Sequence, residues 1–298
     1  MTEADHEEIL ETVADAVADV PAELPRLRRA NDEPSSGEHN PSGDDQSAAD
    51  RWLDEHFHEA LAPLESVGAY ASEERATVLD CGDGYGVAID PLDGSDNLAS
   101  NNPVGVVLGI YDAALPARGT DLVASVIVIF GPVITMTVAA DGDVVQYTVT
   151  ADGRSDPRTL SLSSDEIRKQ TDGTDSGICG FSGRRSDLSE PVLELVDGLR
   201  ADRRLRYCGA AVADVGALLE QGGVLCYPDS ERRPNGVLRL QYEANPIAHV
   251  IETAGGRAID GSERILERKP ARLHERVPVY VGSEEPIDQV DATLGANN

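Results

Sequence analysis

Lysine is nearly absent from this chain of 298 residues: Lys169 and Lys269 are its only two. Positive charge is short overall, with 25 Lys and Arg against 54 Asp and Glu and a net charge of -29. Such a chain repels nucleic acid and anionic membranes at ordinary salt, which excludes both as partners. The acid is spread along the whole sequence and forms no long block, so a dedicated acidic tail is not indicated. Dispersed acid with so little lysine reads as adaptation to a very salty cytoplasm, where screening removes the self-repulsion.

Paired cysteines are missing as well. Cys81, Cys179, Cys208 and Cys226 show no Cys-x2-Cys spacing, so neither a zinc site nor a disulfide framework is indicated. Four buried free thiols in a reducing cytosol are expected instead. The opening residues Met1, Thr2, Glu3, Ala4 and Asp5 are acidic and lack the apolar core of a signal peptide. An unbroken hydrophobic run is lacking too. Residues 122–140 approach the length of a membrane span, but Gly131-Pro132 cuts them into two β-branched halves that read as paired strands.

What is present is a chain long enough for one large domain or two ordinary ones, and the pattern divides it into 1–165 and 166–298. Ile9, Leu10, Val13, Ala16, Val17 and Val20 share a helical face over 3–20, and Pro21 is expected to end that helix. Residues 31–47 are polar and rich in Pro, Ser and Gly; a disordered surface loop and a mobile lid beside a catalytic site are both open readings. Trp52, Leu53, Phe57 and Leu61 mark the inward face of a helix over 48–64. Strands are expected at 76–80, 86–90, 104–111, 122–130, 133–139 and 144–150, forming a large mixed sheet with hairpins. Beyond residue 160, strands at 177–181, 223–227 and 277–281 alternate with helices at 190–199, 211–221 and 246–254, an α/β pattern.

The chemistry-bearing stretch is Ser72-Glu73-Glu74 followed, after fifteen residues, by Asp90-Pro91-Leu92-Asp93-Gly94-Ser95. Four carboxylates gathered at the ends of two apolar segments do not ionise together without a cation among them. Oxygen ligands without His or Cys point to a hard ion such as Mg2+, which keeps waters and phosphate oxygens as further ligands. The Gly94-Ser95 turn offers backbone N–H groups to an anion. Metal, phosphate and activated water together describe a phosphate-ester hydrolase. Taken alone, Asp-Pro-x-Asp-Gly is also an ordinary surface turn.

Further blocks follow: Val104-Gly105 to Gly109-Ile110-Tyr111, then Arg206-Tyr207-Cys208-Gly209 with Val212-Ala213-Asp214-Val215. Gly222-Gly223, Tyr227-Pro228, Pro234-Asn235-Gly236 and Leu238-Arg239-Leu240-Gln241-Tyr242-Glu243-Ala244-Asn245-Pro246 complete the set. In order and spacing these blocks, with Asn40-Pro41-Ser42-Gly43-Asp44 and Asp50 upstream, resemble the class I fructose-1,6-bisphosphatases from about residue 40 to about 285. The resemblance implies a layered α-β-α-β-α sandwich with the active site where the two halves meet. It implies hydrolysis of fructose 1,6-bisphosphate to fructose 6-phosphate and phosphate, as in gluconeogenesis. Two or three Mg2+ per subunit, with Mn2+ as an alternative ion, would be held by Glu73, Glu74, Asp90, Asp93, Glu243 and the Leu92 carbonyl.

The same resemblance gives Asp50 and Glu74 the activation of water and Asp44, on the lid, assistance to the leaving alkoxide. Asp93, Gly94, Ser95 and Arg239 would cradle the phosphate, and Tyr207 and Tyr227 would line the sugar site. Arg206 would reach the distal phosphate of a neighbouring subunit, which implies a homodimer or homotetramer. Three positions depart from the family pattern: Asp96 replaces a Ser, Val237 replaces a Lys, and Phe181-Ser182-Gly183-Arg184-Arg185 stands where Asn-Glu-Gly is usual. Arg184 or Arg185 could clamp phosphate, or form a solvated basic pair. Gly84 and Asp112 occupy positions where AMP-regulated relatives carry cations, so AMP is not expected to act. The rival readings are a sedoheptulose-1,7-bisphosphatase or inositol monophosphatase-like enzyme, and a non-catalytic metal- and phosphate-binding regulator. The full complement of ligands and base argues against the last.

Overall fold

A computed structural model of the chain describes residues 3–31, 40–41, 43, 46–163 and 177–295. The N-terminal helix α1 (Glu3–Asn31) runs straight through Pro21 and Pro25, so the expected stop at Pro21 is corrected. Each proline costs a backbone hydrogen bond, but Leu27 beyond them is 1% exposed, and its packing holds the last turns in place. Helix α2 (Ala48–Leu61) is started by a capping box between Ser47 and Asp50 and stops ahead of Pro63, three residues short of expectation. Leu53, Phe57 and Leu61 are fully buried on its inner face, whereas Trp52 is half-buried and stacks on His56.

Next come β1 (Val67–Ser72), β2 (Leu79–Asp80), β3 (Tyr85–Asp93), the short helix α3 (Asn97–Ser100) and β4 (Val104–Tyr111). They are followed by β5 (Leu122–Phe130), β6 (Ile134–Ala140), β7 (Asp143–Thr150) and β8 (Gly153–Thr159). These strands form one eight-stranded sheet in the order β2-β1-β3-β4-β5-β6-β7-β8, antiparallel throughout except for β1 with β3. The hairpin expected at Gly131-Pro132 joins β5 to β6. Strand β1 lacks strict alternation and β8 is almost wholly polar, so neither is visible as a strand in the sequence.

The second half contains β9 (Ile178–Phe181), α4 (Glu190–Asp202), β10 (Arg204–Leu205), α5 (Ala211–Gln221) and β11 (Gly223–Tyr227). After β12 (Leu238–Arg239) come α6 (Asn245–Thr253), β13 (Arg257–Ile259), β14 (Arg276–Val277), β15 (Val279–Gly282) and α7 (Glu284–Gly295). A five-stranded sheet has the order β10-β9-β11-β15-β13, and β12 pairs with β14 beside it. The strand expected at 277–281 is thus two, divided at Pro278, which has no N–H to donate.

Alternation along β4 explains the layering. Val104, Val106, Leu108 and Ile110 pack with α1 and α2 on one face, while Val107 joins α5 and α6 on the other. Gly105 and Gly109 stand on that second face, where a Cβ would strike Val212 and Pro246; their absence of side chain lets both helices come close. On its far side the five-stranded sheet buries Cys179, Val224 and Tyr280 against Leu195 and Leu199 of α4 and Ile287 and Val290 of α7. The result is the expected α-β-α-β-α order, with α5 and α6 sandwiched between the sheets. The four cysteines are unpaired, but Cys208 is exposed and Cys81 half-buried, so only Cys179 and Cys226 fit the expected burial.

Candidate active site

The decisive local feature is an irregularity in β3. The strand was expected to end at Asp90; it instead continues to Asp93, every residue buried. In a regular strand, side chains three apart face opposite sides. Here Asp90 pairs with Val107 and Asp93 with Gly105, so two residues, Pro91 and Leu92, oppose one on β4. That bulge rephases the strand beside a proline that has no donor to lose. The Leu92 amide donates to Asp90 Oδ1 at 3.0 Å and fixes the turn.

Asp93 is held by the second half of the molecule. Its Oδ2 accepts the Val212 amide at 2.9 Å, satisfying one of the unpaired N–H groups at the start of α5. Gly94 follows at φ 76°, and a Cβ there would collide with Ala210. The chain can make this turn against α5 only without a side chain.

Glu73 and Glu74 lie just past β1. The Glu73 amide donates to the Ile89 carbonyl at 3.1 Å, and its Oε1 accepts from Asn40 Nδ2 at 3.1 Å. Glu74 Oε2 accepts from Gln46 Nε2 at 2.5 Å. From the opposite side, Glu243 projects from a π-helical turn, Leu240–Ala244, and accepts the Arg239 amide at 2.7 Å. Carboxylate oxygens of Glu73, Asp90 and Glu243 lie within 4.8 Å of one another, all three buried. The Arg239 guanidinium pairs with Glu73 and reaches Glu243 at 3.4 Å, so a protein cation already stands among these acids. An all-oxygen, buried, convergent set suits a hard divalent ion, and the residues fit one.

Electrostatics follow from crowding and dryness. Burial, with Glu73, Glu243 and Asp93 beside it, pushes Asp90 well above the carboxylate range. Burial outweighs the Val212 hydrogen bond at Asp93 and raises it to about 7. Glu74 also rises to about 7, by burial first and then by the charge of Asp50. Asp50, in the first turn of α2, is itself raised by burial despite its hydrogen bond from Ser47.

All of these residues line one cleft of about 390 Å³, together with Leu92, Gly94 and Ser95. Tyr207 and Tyr227 line it as well, their ring centres 6.4 Å apart. Tyr227 donates to Asp214 Oδ2 at 3.1 Å, and Asp214 also accepts the Cys208 amide, so one acid positions both tyrosine-bearing segments. Arg206 is exposed and does not line the cleft of its own chain. Neither Arg184 nor Arg185 lines it; Arg185 pairs with Asp197 on α4, which leaves the solvated-pair reading. Asp44 and most of 31–47 lie outside the described residues. Sequence reasoning missed Gln46, Asp214 and Arg233 as cleft or supporting residues, and only Asp214, inside a quoted motif, carried a signal.

Residues 3–154 match the model of the fructose-1-6-bisphosphatase N-terminal domain, and 176–295 that of the C-terminal domain. A class 1 fructose-1,6-bisphosphatase of Halobacterium salinarum is 43% identical over 289 residues, covering 96% of each chain. One from Haloarcula marismortui is 40% identical over 95% of each. The crystal structure of Leishmania major fructose-1,6-bisphosphatase in holo form superposes with a TM-score of 0.86 at 26% identity, covering 98% of this chain and 95% of the other. On the strength of both domain matches and these near full-length identities, the chain belongs to the class 1 fructose-1,6-bisphosphatase family.

Proposed function

We propose that this protein is a Mg2+-dependent phosphomonoester hydrolase that converts fructose 1,6-bisphosphate and water to fructose 6-phosphate and inorganic phosphate. Family membership brings divalent-metal dependence with it. The observation that carries the reading is the buried convergence of Glu73, Asp90 and Glu243 around a guanidinium, in a cleft that continues to two tyrosines. Glu73, Glu74, Asp90, Asp93, Glu243 and the Leu92 carbonyl would hold the ions. When bound, they neutralise phosphate charge and acidify a nearby water.

The remaining chemistry is done by side chains. Glu74, poised near pH 7 beside Asp50, accepts a proton from the attacking water at a carboxylate oxygen. As the water oxygen bonds to phosphorus, the bond from phosphorus to the sugar O1 breaks, and the leaving oxygen takes a proton. We assign Asp44 to that end of the reaction by the family resemblance. Arg239, released from Glu73, offers its fork to the phosphate, with the turn at Gly94 and Ser95 on the other side. Tyr207 and Tyr227 face the sugar.

We also propose a homodimer or homotetramer, with the substrate site of one copy completed by Arg206 of another. Leu205 and Tyr207, 55% and 46% exposed, flank Arg206, and β10 is the outer strand of its sheet. The same reading divides the chain into a metal-binding unit, 1–165, and a sugar-phosphate unit, 166–298. It sets the enzyme in the cytoplasm, which four unpaired thiols support. Phosphate release from fructose 1,6-bisphosphate, sedoheptulose 1,7-bisphosphate and inositol phosphate, measured in molar KCl with and without Mg2+, tests it. Mg2+-dependent turnover should be fastest on fructose 1,6-bisphosphate; preference for another ester would move the assignment, and none at all would leave a binding protein.

A further inference from the structure

The cleft lining is of two kinds. Acidic residues stand with Arg239; Tyr207, Tyr227 and Val237 line it too, as does the exposed Arg233. Among the described residues, Arg239 and Arg233 are the two arginines that line the cleft. A sugar bisphosphate carries a dianion at each end, and the metal-binding acids with Arg239 serve one of them. We propose that Arg233 is the residue of this same chain that binds the distal phosphate and so selects bisphosphates over monophosphates. The proposal rests on the sugar-bisphosphatase reading and adds to it a residue that none of the motifs contains.

The local backbone argues for a built position. Ser230 and Arg233 exchange hydrogen bonds, amide to carbonyl, at 3.1 and 3.0 Å, and the Arg233 amide also donates to Ser230 Oγ at 3.1 Å. The Gly236 amide closes the turn onto the Arg233 carbonyl at 2.9 Å. Arg232 Nε pairs with Asp187 at 2.8 Å, and the Glu231 amide donates to the Asp187 carbonyl at 2.9 Å, tying this loop to the segment after β9. Arg232 is engaged there, and the next residue, Arg233, is among those that line the cleft. Its planar fork can bind two oxygens of one phosphate, which a point charge cannot do.

The test compares kcat/KM for fructose 1,6-bisphosphate with that for fructose 1-phosphate in Mg2+ and molar KCl, using wild type, Arg233→Met and Arg233→Lys. Calorimetric titration of fructose 6-phosphate and of inorganic phosphate accompanies the kinetics. Arg233→Met should lower the bisphosphate-to-monophosphate ratio roughly ten- to a hundredfold, through KM, as expected for losing hydrogen bonds to a charged group. It should weaken fructose 6-phosphate binding by a similar factor and leave inorganic phosphate binding within about twofold, with Lys retaining part of the ratio. A ratio within twofold of wild type in the Met variant, or equal loss on both substrates, overturns the proposal. If wild type does not hydrolyse the bisphosphate, the functional reading fails instead, and the two calorimetric titrations still judge Arg233.

Discussion

Glu74 and Asp93 sit near neutrality for one reason, dryness, and serve different ends. Glu74→Gln removes the proton acceptor, and Asp93→Asn removes a charge facing the ions while keeping an amide oxygen that can accept the Val212 N–H. Each should lower kcat by roughly two to four orders of magnitude at saturating Mg2+ while circular dichroism stays native. Near-normal turnover in either would remove that residue from the mechanism. The raised values also set a pH dependence of stability. A carboxyl that binds its proton more tightly when folded stabilises the protein below its unfolded pKa, and that stability is lost as pH rises through the folded one. For Glu74 the window runs from 4.5 to about 7. Its loss is on the order of 3 kcal/mol. Metal-free protein in molar KCl should therefore melt at lower temperature at pH 7 than at pH 5, and Mg2+, which favours the ionised carboxylates, should flatten the difference. A metal-free melting point that rises over this window would contradict the burial argument. These acids were legible in the sequence because they cluster within about twenty residues; Gln46 and Arg233 were not, since each sits in a polar loop and acquires meaning only from what folds against it.

Elements were legible where the sequence marks both their apolar content and their ends. Helix α5 and strands β4, β5 and β11 have the bounds that their patterns predict, because apolar spacing and Gly or Pro boundaries agree there. The pattern misled where packing overrode local preference, as in α1 beyond Pro21, and where a bulge replaced the end of β3. Between the start of α1 and the turn before β3 lies a pocket bordered by Glu8, Glu65, Asp83 and Gly84, with Glu8 Oε2 accepting the Ser66 hydroxyl at 2.6 Å. Three carboxylates around it are unfavourable for a nucleotide phosphate, and Asp112 after β4 is exposed and acidic too. AMP should therefore leave activity unchanged up to millimolar concentration. Inhibition at micromolar AMP, competing with neither Mg2+ nor substrate, would show that other cations serve it.

For the whole molecule, a net charge of -29 makes salt part of the fold. Arginine pairs with Asp and Glu across the surface, as in Arg264 with Glu252 and Arg257 with Asp288, yet basic residues are too few to neutralise the excess. Dialysis from molar to about 10 mM KCl, where the Debye length grows from about 3 to about 30 Å, should unfold or inactivate the protein. Unchanged activity and melting temperature after dialysis would refute the salt adaptation. The distribution of the buried charges has another consequence, in the order of synthesis. The acids just past β1 and on β3 leave the ribosome more than a hundred residues before Arg239 and Glu243. A nascent chain that has already closed its first sheet holds Asp90 and Asp93 without the guanidinium that later stands among them, and an uncompensated buried charge is costly. Those carboxyls must stay protonated, stay wet, or borrow an ion from the cytosol until residue 239 arrives. Divalent cation present during translation should then raise the yield of native enzyme more than the same cation added after release.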